Sequence, residues 1–85
     1  MRWLNKYKQE VKEPQSMMYA DVPGLRICVH QIVGIKGWYL SCPELRINDN
    51  NLHTEDFNEA TEKAKLVIRE EFEKLEVAVN DFLQN

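Results

Sequence analysis

Two cysteines and two histidines are the residues of this chain whose chemistry could make a metal site or a nucleophile. Cys28 and His30 lie two positions apart, and Cys42 comes in the next predicted strand. Thiolates and imidazoles are preferred zinc ligands, and a cysteine beside a histidine can act as a nucleophile with its base. However, the chain has no CxxC or HxxxH spacing, and no third group orients His30. His53 precedes a predicted helix as a loop residue. We therefore expect no metal, no cofactor and no catalytic residue.

Length and composition agree with a small binding protein. The chain has 85 residues, 44% of them hydrophobic, which suits a single domain spanning 1–85 and leaves little chain for an enzymatic cleft. Its apolar runs are far shorter than the roughly 20 residues of a membrane span. The first residues lack the apolar core of a secretion signal, and two cysteines do not make a disulfide framework. We expect a cytoplasmic protein that is not an enzyme and does not contact membranes.

The charge is divided between the two parts of the chain. Residues 1–54 carry seven Lys or Arg against five acids, whereas residues 55–85 carry four against nine. The acidic part repels phosphate, which disfavours a nucleic-acid partner. The alternative, a nucleic-acid-binding accessory protein, would have to use the scattered bases of the first part: Lys6, Lys8, Lys12, Arg26, Lys36 and Arg46.

Alternating apolar residues predict a β-meander over residues 16–48. Ser16–Val22 and Leu25–Val33 alternate around the turn residues Pro23 and Gly24. Trp38–Cys42 follows a loop bracketed by Gly34 and Gly37 and is the third strand. Glu44–Asn48 is a candidate for a short fourth strand, so the meander has three or four strands. Pairing Val33 with Trp38 sets Val29 opposite Cys42 and puts the apolar sets of both strands on one face. Residues 1–15 form a basic arm or a short helix, and Asp49–Asn51 form a loop.

A long helix is predicted over residues 54–83, with Thr54 as its N-cap. Counting at 3.6 residues per turn gives one apolar stripe, made of Phe57, Ala60, Ala64, Ile68, Phe72, Leu75, Val79 and Phe82. The fold class that results is α+β, a three- or four-stranded antiparallel meander with the helix packed on one face.

This helix is too long for its sheet. It would span roughly 43 Å, whereas strands of six to eight residues cover about 20–27 Å. Three arrangements could cover the excess: Trp3, Leu4 and Tyr7 fold back over it, the helix breaks near Glu70, or a second copy packs there. Because burying four such side chains is worth about 6–12 kcal/mol, we expect a homodimer. Its contact residues would be Phe72, Leu75, Val79, Phe82 and Leu83.

The other face of the sheet is more apolar than solvent exposure requires, so we expect it to bind a protein partner. The residues predicted for this contact are Tyr19, Arg26, His30, Ile32 and Tyr39.

Two stretches resemble HicB-like antitoxins. They are GWYLSCPEL at 37–45 and, after Leu52, DFNEA at 56–60. That family similarly ends an aromatic strand in a Pro-acid-Leu element before a helix that opens with an acid-Ala motif. The layout also looks like that of short phage and prophage proteins with a tryptophan-bearing meander and one helix. Either resemblance implies a protein that binds another macromolecule and no catalysis.

These observations predict a small interaction protein, encoded by a phage or mobile element, that binds and occludes a protein partner. The alternative that the resemblance implies is an antitoxin that neutralises a small basic toxin.

Overall fold

The computed structural model describes residues 2–85, which form an antiparallel sheet and one long helix. The strands follow chain order across the sheet. They are β1 (Trp3–Leu4), β2 (Met17–Ala20), β3 (Cys28–Ile32), β4 (Ile35–Cys42) and β5 (Ile47–Asn51), followed by the helix α1 (Phe57–Gln84). The predicted α+β class and the meander are confirmed, with five strands instead of three or four.

The additional strand comes from the N-terminal segment. Trp3 pairs with Ala20 and Leu4 with Tyr19, so β1 is an edge strand. A helix does not form here because the chain turns immediately after Leu4. Asn5, only 4% exposed, accepts the backbone N–H groups of Tyr7 and Gln9 through its Oδ1 at 2.9 and 3.0 Å. Such local side-chain bonds compete with helix formation.

The last strand begins later than predicted. Pro43–Leu45 form a single 3-10 turn, which Arg46 ends in a left-handed conformation. The strand therefore covers Ile47–Asn51, and the segment predicted as a loop, Asp49–Asn51, lies within it. Asp49 also has positive φ, 47°, and the pairing with β4 shifts register close to it. Sequence alternation alone does not show a strand that contains such an irregularity.

The hairpin of β3 and β4 has the predicted faces but a different register. Val29 lies opposite Leu40, two residues away from the predicted partner Cys42. The difference has two causes: the chain turns at Val33 and Gly34, with Ile32 opposite Ile35, and the pairing shifts register by two residues between Ile32 and His30. A two-residue shift keeps every side chain on its face. Val33, however, was predicted in the core and is fully exposed.

The core lies between one face of the sheet and the first turns of α1. Ala60 and Ala64 have 0% and 1% of their surfaces exposed, and their small side chains allow the helix to approach the strands closely. The other members of this cluster come from the strands and their connections: Ala20, Ile27, Val29, Trp38, Leu40, Cys42, Ile47 and Leu52.

Trp38 anchors the segment that leads into the helix. Its backbone N–H donates to the Thr54 carbonyl at 3.0 Å, and its indole N–H donates to the Glu55 carbonyl at 3.1 Å. Its ring packs edge-on against Phe57, with 5.0 Å between centroids. Trp3 contacts Phe57 in the same manner at 5.8 Å. The start of α1 is therefore fixed to the middle of the sheet.

The helix begins at Phe57, two residues later than a Thr54 N-cap would place it, because Asp56 is the N-cap. The Asp56 Oδ2 accepts the Glu59 N–H at 2.8 Å. Thr54 instead stabilises the segment before the cap, since its Oγ1 accepts a hydrogen bond from the Asp56 N–H at 3.1 Å. From there the helix continues without a break to Gln84.

Gly37 makes this close approach of strand and loop sterically possible. Its φ is 96°, and a Cβ at this position would lie 3.2 Å from the Thr54 carbonyl oxygen. Gly24 has a similar φ of 83° but nothing within 4 Å of a Cβ. We expect Gly24→Ala to lower the free energy of unfolding by about 1–2 kcal/mol through the left-handed backbone alone. Gly37→Ala should cost at least ~1 kcal/mol more, because the backbone contact must also move.

Urea unfolding of the two variants measures this difference. The entropic effect of alanine on the unfolded chain is common to both and cancels. Equal losses of stability would show that the contact between Gly37 and Thr54 does not constrain the fold.

Candidate interaction surfaces

The face of the sheet opposite α1 is covered by no helix or strand in residues 2–85. We call it the open face. Strand alternation and register place on it Met17, Tyr19, Cys28, His30, Ile32, Ile35, Tyr39 and Ser41. Met17 and Ile35 are 42% and 53% exposed, whereas Tyr19, Ile32 and Tyr39 are half-buried by their neighbours. The surface is therefore mixed, with aromatic and aliphatic side chains around a polar centre.

The structure brings the residues predicted for partner binding together on this face. Tyr19, Arg26 and His30 line one shallow cleft of about 350 Å³. Tyr39 lies directly opposite His30 on the neighbouring strand, with their rings 6.4 Å apart. Ile32 follows two positions after His30 on β3.

His30 belongs to a hydrogen-bonded group that sequence reasoning did not find. Its Nε2 lies 2.9 Å from the Ser41 Oγ and 3.2 Å from the Asp49 Oδ1. Ser41 Oγ in turn accepts the backbone N–H of Asp49 at 3.0 Å. Ser41 was identifiable from its alternation with Tyr39. Asp49 was not, because its strand was predicted as a loop.

This Ser-His-Asp group does not have the geometry of a catalytic relay. In such a relay one histidine nitrogen bonds to the carboxylate and the other nitrogen bonds to the hydroxyl. Here one nitrogen, Nε2, faces both groups, and the Ser41 hydroxyl lies 3.2 Å from the same carboxylate oxygen. What the arrangement does is connect β3, β4 and β5 through side chains on the open face.

The two cysteines lie on opposite faces of the sheet. Cys28 is on the open face and Cys42 in the core, and both are free and buried. Burial raises the pKa of both thiols, which keeps them protonated and makes them weak nucleophiles and weak metal ligands. Within the described part of the chain, no three His, Cys, Asp or Glu side chains form a group that could hold a metal ion.

Arg26 and Glu44 form a clip between the β2–β3 connection and the 3-10 turn. The backbone N–H of Arg26 donates to one oxygen of Glu44 at 2.7 Å, and its Nε donates to the other at 2.7 Å. These bonds lower the pKa of Glu44 to about 2, the backbone N–H having the largest effect. Arg26, predicted as a partner contact, is therefore also a structural residue.

The second surface is the part of α1 beyond the sheet. Every side chain from Phe72 to Gln84 is exposed. This segment of the helix is about 20 Å long. Two of the three predicted coverings do not occur. Trp3 packs on Phe57 at the opposite end of the helix, and the helix does not break at Glu70. The third covering, a second copy of the chain, stays a prediction.

The basic residues do not form one continuous patch. Lys6 and Lys8 line a cleft of about 370 Å³ with Tyr19 and Arg26, at the β1 side of the sheet. Lys36 lies near the β3–β4 turn, and Arg46 lies beside α1 on the 3-10 turn.

Comparisons with known proteins found no matching family model, curated protein or solved structure. The resemblance to HicB-like antitoxins therefore stays a prediction. As for membranes, α1 contains no stretch apolar enough to cross one, and residues 2–85 contain no other α-helix.

The Arg26–Glu44 clip predicts a specific acid response. Because the pKa of Glu44 is lowered in the folded protein, its contribution to stability is complete above the ordinary glutamate pKa and is lost as the pH falls towards about 2. Glu44→Gln lacks this ionisation. We expect the variant to melt at a lower temperature than the wild type at pH 7, and the difference to disappear near pH 2.

Thermal melts followed by circular dichroism between pH 7 and pH 2 provide the measurement. Glu62→Gln, at an exposed position on α1 away from the clip, is the matched control. A difference between wild type and Glu44→Gln that is independent of pH would contradict the assigned clip.

Proposed function

We propose that this protein is a small, non-enzymatic interaction domain that binds a protein partner through its open face. The observation that carries the proposal is a single-layered sheet whose uncovered face presents Met17, Tyr19, Ile32, Ile35 and Tyr39 side by side. Aromatic residues and methionine are enriched at protein interfaces. The rigid strands fix these side chains in place, so little order has to be gained on binding.

The charges around this face indicate the chemistry of the partner. Lys6 and Lys8 lie at its β1 side, in a cleft that Asp21 and Arg26 also line. Because Arg26 is paired with Glu44 and Asp21 with Arg2, the two lysines are the excess charge of this cleft, and a partner with acidic groups beside an apolar patch would be complementary there. A small basic toxin, which the antitoxin alternative requires, would fit the acidic helix better than the open face. We therefore favour an acidic partner surface for this site.

The buried state of the candidate nucleophiles supports a binding role. Cys28 and Cys42 have raised pKa values because of burial, and His30 makes its contacts within the sheet. The polar centre of the open face stabilises the strands, while the partly exposed apolar residues around it supply contact area.

A charge placed on the open face should abolish partner binding. Tyr39→Glu puts a carboxylate into the centre of the proposed contact, where its desolvation has no compensating partner. Tagged wild type and tagged Tyr39→Glu are each used to capture partners from a lysate of the source organism. The variant should capture at least about tenfold less of the partner than the wild type, as expected for a substitution at the centre of an interface. Mass spectrometry of the captured material gives the readout.

Gln31→Glu is the matched control, because it adds the same charge at an exposed position of the same hairpin on the opposite side of β3. Circular dichroism confirms that both variants are folded. Undiminished capture by Tyr39→Glu would refute the open-face site. Capture that disappears after nuclease treatment would instead indicate the nucleic-acid alternative.

A further inference from the structure

The uncovered part of α1 carries a stripe whose spacing reads the same in both directions. Phe72, Leu75, Val79 and Phe82 are separated by three, four and three residues. In an antiparallel pair of such helices, Phe72 of each copy faces Phe82 of the other, and Leu75 faces Val79. Gaps of three and four residues are those of side chains that interlock between two helices.

We propose that two copies of this chain associate through this stripe with their helices antiparallel, each C-terminal half filling the space beside the other's sheet. This assembly goes beyond the proposed partner binding and does not use the open face.

The direction of the pairing follows from where the sheet lies. At 100° per residue, Leu75 and Phe82 point within about 20° of Ala64, which is buried against the sheet. The stripe therefore continues the sheet-facing side of the helix. A parallel, in-register second helix on that side would run into the volume that the sheet occupies. An antiparallel helix avoids it, because only its C-terminal half lies alongside the stripe.

Charge disfavours the parallel pair as well. Glu71 and Glu76 occupy the positions flanking the stripe that face one another between parallel helices. A parallel dimer would bring these glutamates together on both sides of the seam. The antiparallel pair has only one contact of this kind, Glu76 with Glu76, on one side of the seam. On the other side it places Ala78 of one copy beside Ala78 of the other, which allows the two backbones to approach closely.

A recess lies at the end of this seam. The 3-10 turn and the helix enclose a cleft of about 340 Å³, lined by Leu45, Glu71, Leu75 and Ala78 among others. In the antiparallel register, Phe82 of the second copy projects between Ile68, Glu71, Phe72 and Leu75, at the mouth of this cleft. The recess thus accommodates the bulkiest side chain at the end of the stripe.

The area available is sufficient for a modest dimer. Phe72, Leu75, Val79, Phe82 and Leu83 are 52%, 49%, 47%, 77% and 70% exposed. Taking roughly 200 Å² for a fully exposed phenylalanine and less for the others, they contribute about 500 Å² per copy. Two copies bury about 1,000 Å², the lower limit of specific interfaces. We therefore expect a dissociation constant on the order of micromolar.

Sedimentation equilibrium on the full chain tests the association. The wild type should show a reversible monomer–dimer equilibrium, and Phe82→Asp should weaken it at least about tenfold. Val77→Asp is the matched control, because Val77 is 59% exposed on the opposite side of the helix. This variant should dimerise like the wild type. Helicity measured by circular dichroism shows whether the helix end is intact in each variant.

Disulfide trapping tests the direction. Ala78→Cys should form a covalent dimer under mild oxidation, since the two residues at position 78 meet only between antiparallel helices. Val77→Cys should remain monomeric on a denaturing gel, and the wild type shows the background from its buried native thiols. A wild type that is monomeric at high micromolar concentration, an unaffected Phe82→Asp dimer, or a dimer that Ala78→Cys does not trap would each overturn the proposal.

Discussion

The attachment of the helix start to Trp38 is the constraint on which the rest of this structure depends. One residue holds the loop before the helix through its backbone N–H, its indole N–H and the edge of its ring. Gly37 brings the strand close enough for these bonds to form. A buried indole that found no acceptor would cost more than its hydrogen bond contributes, so the position of the loop is strongly specified.

Once this point is fixed, the two uncovered surfaces follow. The helix starts over the centre of the sheet, and Ala60 and Ala64 set a close distance to the strands. After about four turns the sheet ends, but the helix continues to Gln84 through residues that include no Gly or Pro. Because the one helix of residues 2–85 covers only one side of their sheet, no helix or strand that the structure describes lies on the opposite side. The protein thus exposes an apolar helix stripe and a mixed aromatic sheet face.

The open face also shows how residues with reactive side chains can serve the fold. Ser41, His30 and Asp49 would suggest chemistry if seen as a set, yet a single histidine nitrogen faces both of its neighbours. The group compensates for the irregular pairing of β5, whose register shifts next to Asp49. Likewise, Glu44 connects two loops through Arg26. Polar side chains hold those parts of the sheet where the backbone ladder is interrupted.

The sequence by itself determined the fold class, the faces of the strands and the apolar stripe of the helix. All three depend on periodicity, which is a local property: alternation decides which side chains within Cys28–Ile32 and within Trp38–Cys42 share a face, and a register shift of two residues leaves those faces unchanged. The sequence also determined that the helix would be longer than the sheet, since both lengths follow from residue counts.

Only the tertiary structure decided the pairing of β3 with β4, the strand character of Trp3–Leu4 and Asp49–Asn51, and the choice of Asp56 as N-cap. These features depend on side chains that meet from distant positions: Asn5 folds its own loop beside β2, Ser41 bonds to Asp49, and Trp38 fixes the chain ahead of Asp56. The meeting of Ser41, His30 and Asp49 was hidden for the same reason, because no local pattern records which residues a turn and a bulge will bring opposite one another.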